Sequence, residues 1–159
     1  MIFITLGSQK FQFNRLLKAV DELVADGTIA DEVFAQIGYS DYKPVNYSYK
    51  DFLDRNEFAE AEGKADIVIT HGGTGAIIGA VKKGKKVIAV PRLAKYGEHV
   101  DDHQVQLLKQ FEDMDLIAVC NDTSQLGECF LQTRSRQFKE YKSNTAAVIR
   151  SIEEFLEEG

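Results

Sequence analysis

The stretch from Ile69 to Pro91, ITHGGTGAIIGAVKKGKKVIAVP, decides the fold. Residues 66–70 (DIVIT) form an apolar run that ends at a turn rich in glycine, and this turn leads into residues 74–83, which have a helical pattern. A second apolar run, residues 86–90 (KVIAV), follows at once. Two short Ile- and Val-rich runs joined by a helix are typical of parallel strands connected by a crossover helix.

The same alternation extends along the whole chain. We predict five strands, at residues 2–6, 33–37, 66–70, 86–90 and 116–119, and six helices, at residues 13–24, 52–63, 74–83, 101–111, 124–131 and 144–158. The polar, aromatic tract at residues 39–49 is interpreted as a loop with one possible short strand. We therefore expect a single Rossmann-like α/β domain over residues 1–159, with a parallel sheet covered by helices on both faces.

Composition narrows the classes of function. A chain of 159 residues has the length of one domain, and its formal net charge of -6 argues against a nucleic-acid partner, which would require an excess of Lys and Arg. We see neither a signal peptide nor a membrane-spanning run. Cys120 and Cys129 fit neither a CxxC pair nor a zinc spacing, so we expect buried or idle thiols in a reducing, cytoplasmic compartment.

The glycine turn, His71 to Gly75, is a candidate anion site. In an open parallel sheet, ligands bind at the carboxyl ends of the strands, where free amide groups and the positive end of a helix dipole meet. Glycines allow the backbone to approach a phosphate or diphosphate, and Thr74 adds a hydroxyl donor. The spacing of Gly73, Gly75 and Gly79 matches neither the GxGxxG fingerprint nor a P-loop. A second reading, in which the glycines serve only packing, stays open.

A polar loop follows the next strand, at residues 91–104. Its candidate ligand residues are Arg92, Glu98, His99, Asp101, Asp102, His103 and Gln104. They allow three readings: a metal site built on His99 and His103, a helix cap supplied by Asp101 or Asp102, or recognition of sugar hydroxyls by carboxylate, carboxamide and imidazole groups.

These motifs together resemble a known family. An apolar strand, the sequence HGGTG, a helix, Gly84, another strand, Pro91 and the triplet DHQ at residues 102–104 occur in this order in the C-terminal domain of glycosyltransferase family 28, one half of a GT-B glycosyltransferase. Short single-domain members are the most similar in size. They include the soluble subunit of the dolichol-linked N-acetylglucosamine transferase and bacterial exopolysaccharide and capsule galactosyltransferase subunits.

The resemblance implies roles for particular residues. The donor diphosphate would be held by His71, Gly72, Gly73, Thr74 and Gly75, and the sugar by Asp102, His103 and Gln104. The opening loop with Gly7 and Ser8, together with Arg92, Glu98 and Asp101, would complete the substrate site. His71 is the candidate catalytic residue, and no metal or other cofactor is expected. The sequence differs from the family pattern at residues 76–80 (AIIGA), which lack the Glu that binds the ribose in many members. Either Glu98 replaces it or the ribose is held differently.

The resemblance also implies partners. The chain would be the donor-binding, catalytic subunit of a two-component UDP-sugar glycosyltransferase that transfers galactose or N-acetylglucosamine to a lipid-linked glycan. A membrane-anchored partner subunit would supply the acceptor domain, and with it the general base, and would recruit this chain to the inner face of the membrane. The alternative is a non-catalytic, nucleotide-binding subunit that enhances or regulates a partner enzyme.

Overall fold

Six parallel strands form the centre of the protein. A computed structural model describes residues 1–6, 11–97 and 103–139. In these residues the sheet order is β3-β2-β1-β4-β5-β6. The strands are β1 (Ile2–Thr5), β2 (Val33–Gln36), β3 (Ser48–Lys50), β4 (Ile67–Thr70), β5 (Lys86–Ala89) and β6 (Ala118–Val119). The helices are α1 (Asn14–Ala25), α2 (Arg55–Lys64), α3 (Thr74–Lys82), α4 (His103–Asp113) and α5 (Leu126–Ser135).

Helices cover both faces of this sheet. Successive side chains of a strand point to opposite faces. Thus Ile2 and Ile4 of β1 join the cluster that contains the apolar side chains of α1 and α5, whereas Phe3 joins the cluster of α2, α3 and α4. Strand β4 divides in the same way, with Ile67 and Ile69 on the first face and Val68 on the second. The result is a three-layer α/β/α domain with two apolar cores, which confirms the predicted fold class.

Several predicted boundaries differ from the structure. The helix predicted at residues 52–63 begins at Arg55, because the Asp54 carboxylate accepts a hydrogen bond from the Glu57 amide (2.8 Å) and the Glu57 carboxylate accepts one from the Asp54 amide (3.2 Å). This reciprocal capping box fixes the first turn. The strand predicted at residues 116–119 pairs only at Ala118–Val119, and the helix predicted at 124–131 runs from Leu126 to Ser135 after a 3-10 turn. The helix predicted at 144–158 lies outside the described residues.

Gly84 closes helix α3 and turns the chain towards β5. Its φ is 73°, a left-handed value that favours glycine. The Gly84 amide donates to the Val81 carbonyl (3.0 Å) and the Lys85 amide to the Ala80 carbonyl (3.0 Å), which together make a Schellman motif. A Cβ at Gly84 would meet no atom within 4 Å, so only its backbone conformation requires glycine.

The same substitution should therefore have opposite effects at Gly79, within α3, and at Gly84, just after it. We expect Gly84→Ala to lower the free energy of unfolding by about 1 kcal/mol, because alanine is strained at positive φ. Gly79→Ala should raise it by roughly 0.5 to 1 kcal/mol, since Gly79 is helical and a Cβ there has open space. Urea denaturation of both variants checks this. If Gly79→Ala also lowers the free energy of unfolding, the loss in Gly84→Ala cannot be assigned to the positive φ of Gly84.

A buried carboxylate organises the tract at residues 39–49. Asp21 of α1 is 3% exposed and accepts hydrogen bonds from the Tyr42 hydroxyl (2.6 Å), the Val45 amide (2.9 Å) and the Asn46 amide (2.8 Å). Burial by itself raises the pKa of this carboxyl, but the hydrogen bonds outweigh burial and hold the pKa below its usual value of 3.8. The tract is thus a loop fixed by one charge on α1.

This network makes a pH-dependent contribution to stability. Because the folded-state pKa of Asp21 is lowered, the contribution is complete above the unfolded-state pKa and is lost as the pH falls through the folded-state value. We expect Asp21→Asn to lower the free energy of unfolding at neutral pH by about 1 to 2 kcal/mol. The variant should also lose less stability than the parent as the pH falls below about 4.

Urea denaturation at several pH values measures both effects, with the exposed Asp41→Asn as control. If Asp21→Asn keeps the full acid sensitivity of the parent, the network does not contribute as described.

Candidate functional site

The strand order reverses between β1 and β4, and this topology predicts a ligand crevice at their carboxyl ends. After β1 the chain passes to α1 on one face of the sheet, and after β4 it passes to α3 on the other face. Connections that leave a parallel sheet on opposite faces diverge, and the space between them is the usual ligand position in open α/β sheets. The glycine turn follows β4 directly. Gly7 and Ser8, which follow β1, lie outside the described residues.

The turn after β4 is built around His71. The imidazole is 5% exposed, and Gly72 reverses the chain with a φ of 91°. A Cβ at Gly73 would lie 2.6 Å from Cε1 and 2.7 Å from Nε2 of His71, distances that real Cβ atoms essentially never show. The packing reading of the glycines therefore holds for Gly72 and Gly73. The burial of His71 favours a role in shaping the turn, and its catalytic role stays a prediction.

Gly75 has no such packing reason. It lies in the first turn of α3, is exposed, and a Cβ there would meet no atom within 4 Å. Glycine in a helix with open space around it is less stable than alanine by roughly 0.5 to 1 kcal/mol. Within the described structure, neither backbone strain nor crowding accounts for this glycine.

The amide groups at the start of α3 face the same crevice. The first hydrogen bond of the helix runs from the Ile77 amide to the Gly73 carbonyl (3.1 Å). The preceding amides, of residues 73–76, have no acceptor among the described residues. Among the described side chains, none caps this end of the helix. Within this part of the chain, four amides and the positive end of the helix dipole are thus available for an anion.

Arg92 is held inside the protein by main-chain carbonyls. Its side chain is 1% exposed, and the guanidinium donates to the carbonyls of Leu6 (2.8 Å), Phe11 (2.8 Å) and Gln12 (3.3 Å). The group also lies 5.1 Å from the centroid of the Phe13 ring. A buried guanidinium needs acceptors, and here main-chain carbonyls supply them. This burial favours a structural role for Arg92 at Leu6, Phe11 and Gln12, the residues that flank the segment containing Gly7 and Ser8, and its contact with substrate stays a prediction.

Two further residues that hold the connections at this edge of the sheet, Gln12 and Arg15, were missed by the sequence analysis. The Gln12 carboxamide donates to the Tyr96 carbonyl (2.9 Å), and the Arg15 guanidinium donates to the Pro91 carbonyl (3.2 Å). The Arg15 guanidinium also stacks 4.7 Å from the centroid of the half-exposed Tyr96 ring. These contacts join the connection after β1 to the connection after β5, on either side of β4. No local pattern signals them, since the partners are more than seventy positions apart in sequence.

The second predicted cluster is only partly described. Glu98, Asp101 and Asp102 lie outside the described residues. His103 and Gln104 form the start of α4, and only their backbone is described. Helix α4 is the crossover from β5 to β6, so it begins at the same edge of the sheet as α3, on the same face. The backbone of residues 103 and 104 and the glycine turn therefore lie at the same edge of the sheet.

The described part of the chain offers neither a metal cluster nor a membrane span. Within residues 1–6, 11–97 and 103–139, no group of three or more His, Cys, Asp or Glu side chains is placed to hold a metal ion. Glu98 and His99, which the metal reading requires, fall outside these ranges. In the same ranges, no helix has the length and apolar character needed to cross a membrane.

Solved structures with a similar fold define the class of protein. The domain is similar to the calicheamicin glycosyltransferase CalG4, with a TM-score of 0.61 and 18% identity, over 98% of this chain and 37% of that one. It is similar to MurG of Acinetobacter baumannii, with a TM-score of 0.53 and 23% identity, over 84% and 41% of the chains. The similarity to ALG13 has a TM-score of 0.59 and 16% identity, and covers 87% of both chains. The fold is that of one half of a GT-B glycosyltransferase.

The sequence itself defines the family. The model of the glycosyltransferase family 28 C-terminal domain matches residues 1–158, so the chain belongs to this family. The family is one of glycosyltransferase domains. No curated protein matches the sequence significantly. The chain spans 37% and 38% of two of the longer enzymes that share its fold.

The contact between His71 and Gly73 predicts a strong coupling between two substitutions. We expect Gly73→Ala to lower the free energy of unfolding by about 2 kcal/mol, because the added methyl group overlaps the imidazole. In a His71→Ala background the same change should have an effect below about 1 kcal/mol, since the overlapping atoms are gone. Urea denaturation of the parent, both single variants and the double variant gives the coupling energy. Additive effects would show that the imidazole does not occupy this position.

Proposed function

We propose that this chain is the donor-binding, catalytic subunit of a two-component UDP-sugar glycosyltransferase. The observation that carries the proposal is Gly75, an exposed helical glycine for which the described structure holds no packing reason. A ligand that approaches the first turn of α3 as closely as a diphosphate does would exclude a Cβ at this position. Family membership supplies the class of ligand, a nucleotide sugar.

Charge stabilisation at the turn supports a role in catalysis. As the bond between the anomeric carbon and the diphosphate oxygen breaks, negative charge accumulates on the departing nucleoside diphosphate. The available amides of residues 73–76 and the dipole of α3 are fixed in place before the reaction and would stabilise this charge. In this proposal no metal is required, and the Thr74 hydroxyl adds one more donor.

The remaining substrate contacts come from the same rim. Asp102, His103 and Gln104 would bind hydroxyl groups of a galactosyl or N-acetylglucosaminyl residue, with Glu98, Asp101 and the Gly7-Ser8 loop completing the site. The start of α4 lies at the edge where α3 begins, which agrees with this arrangement. Since residues 76–80 lack the Glu that grips the ribose in the family, Glu98 is our candidate for that role.

A second domain has to deliver the acceptor. The chain corresponds to 37 to 41% of the longer enzymes that share its fold, and to 87% of ALG13. We propose that a membrane-anchored partner subunit carries the acceptor domain and the general base, presents a lipid-linked glycan, and holds this chain at the inner face of the membrane. The acceptor hydroxyl oxygen then bonds to the anomeric carbon, and its proton passes to the base of the partner.

Binding of UDP tests the donor site directly. We expect Gly75→Ala to stabilise the fold slightly and to weaken UDP binding at least about tenfold, because the methyl group fills the space of the diphosphate. The matched control is Gly63→Ala in α2, another helical glycine with open space, which should stabilise the fold and leave UDP binding unchanged. Isothermal titration calorimetry, with a chelator present, and urea denaturation give both quantities. Equal UDP affinity in the parent and Gly75→Ala would refute the diphosphate assignment.

Transfer assays separate the catalytic subunit from a non-catalytic enhancer. The partner to test is a protein of similar size with an apolar segment near its N-terminus, encoded beside this chain. Activity should require both proteins and should fall at least about a hundredfold with His71→Ala or Gln104→Ala in this chain. Full activity of the mixture with both substitutions would favour the enhancer.

A further inference from the structure

A basic cavity lies at the edge of the sheet opposite to the glycine turn. Helix α3 ends at Lys82 and β5 begins at Lys86, so the turn between them lies at the amino ends of the parallel strands. A cavity of about 630 Å³ adjoins this turn, and a volume of this size is typical of small-ligand sites. The lysines that line this lysine cavity are Lys82, Lys83, Lys85, Lys86 and Lys139.

The other residues that line the lysine cavity are uncharged. They are Val81, Gly84, Leu116, Gln137 and Phe138. Val81 and Leu116 belong to the apolar core on the face covered by α3 and α4. Among the described residues, no Asp or Glu lines the cavity, although the chain has a formal net charge of -6. Positive charge is thus concentrated in one concave place on an acidic protein, which favours the binding of an anion.

Three carboxylates near the turn already have cationic partners. The pairs are Asp31 with Arg134 (2.9 Å), Asp66 with the amino group of Met1 (3.0 Å) and Glu62 with Lys83 (2.7 Å). Asp31 and Asp66 line a smaller cavity on the other side of the turn. The pair with Glu62 neutralises one charge of the lysine cavity, whereas the other two pairs use cations from outside it.

Lys85 and Lys86 are held in place by main-chain carbonyls. The Lys85 ammonium donates to the carbonyl of Gly63 (3.0 Å), and the Lys86 ammonium donates to the carbonyl of Arg134 (2.6 Å). A carbonyl fixes an ammonium group but has no net charge, and each ammonium group has three donors. These contacts therefore leave the positive charge of both lysines, and further donors, for a ligand.

Asp115 fixes the wall of the lysine cavity that follows α5. Its carboxylate accepts a hydrogen bond from the Arg136 guanidinium (2.6 Å), and its carbonyl accepts one from the Lys139 amide (2.9 Å). The Arg136 guanidinium also lies 4.5 Å from the centroid of the Phe138 ring. Contacts within the chain thus shape this wall, and they place the exposed Lys139 at the cavity.

We propose that the lysine cavity binds an anion with two or more phosphoryl groups. Ammonium groups bind phosphoryl oxygens as point charges, and Lys85, Lys86 and Lys139 provide this charge. The dipole of α3 places roughly half a negative charge at this end of the helix, which offsets only part of it. Helix α3 has nine residues and spans about 13 Å, so the cavity is separate from the donor site at its other end. A lipid headgroup and a soluble polyphosphate share this chemistry.

Tripolyphosphate is the soluble ligand for the test, titrated into the full chain by isothermal titration calorimetry with a chelator present. The double variant Lys82→Glu/Lys139→Glu should weaken its binding at least about tenfold, because two charges of the cavity change sign. Both side chains are exposed, and urea denaturation verifies the fold. The matched control is Lys18→Glu/Lys109→Glu, in which two exposed lysines outside the cavity change sign. It should change the affinity less than about twofold, since salt screens distant charges.

Vesicles distinguish a lipid headgroup from a soluble anion. Flotation of the full chain with phosphatidylcholine vesicles that contain phosphatidic acid, but not with phosphatidylcholine alone, would assign the phosphoryl groups to lipid headgroups, provided that the double variant does not float and the control does. Binding of tripolyphosphate without flotation would assign them to a soluble anion.

Three results would overturn the proposal. They are binding of neither ligand, an equal loss of binding in the control, and a loss of tripolyphosphate binding in Gly75→Ala, which would place this anion at the glycine turn. The double variant at the lysine cavity should bind UDP as the parent does. Failure of this proposal and failure of the donor-site proposal are therefore distinguishable.

Discussion

The parallel pairing of β1 with β4 is the constraint on which the rest of the structure depends. Four residue pairs, from Ile2 with Ile67 to Thr5 with Thr70, join the two halves of the sheet. One half continues from β1 outward to β2 and β3, and the other continues from β4 outward to β5 and β6. Both strands are buried on both faces, which their Ile-, Val- and Phe-rich sequences permit. Because the winding changes direction here, the loops after the two strands separate, and a ligand crevice results from topology alone.

The connections beside the predicted crevice are held by side chains that donate hydrogen bonds to main-chain carbonyls. Arg92 ties together the two ends of the segment after β1, and Gln12 and Arg15 tie that connection to the one after β5. A carbonyl in a fixed segment is a dependable acceptor, and a guanidinium offers five donors in a rigid fork. The described residues at the ends of these loops are thus held by contacts within the protein, and groups that are fixed before the reaction can stabilise charge in a transition state without reorganisation.

Much of the fold could be predicted from sequence, because buried parallel strands require short apolar runs and crossover helices require a 3.6-residue period. Strand β3 was seen only as a possibility, since its three residues are exposed and have no apolar pattern. The turn at His71 was recognised, but its packing on Gly73 depends on the rotamer of one imidazole. The burial of Arg92 could not be predicted, because an arginine in a polar loop resembles an exposed ligand residue and one of its acceptors, the Leu6 carbonyl, lies 86 positions earlier in the chain.

The two edge strands of the sheet have a consequence for how the domain associates with other proteins. In the part of the chain that the structure describes, the outermost strands are β3, with three residues, and β6, with two. Such short borders expose few unpaired main-chain groups, so they are poor templates for a strand from another polypeptide. An assembly of this domain would therefore be built from contacts between side chains on complementary surfaces, and its specificity would be encoded in helices and loops rather than in continuation of the sheet.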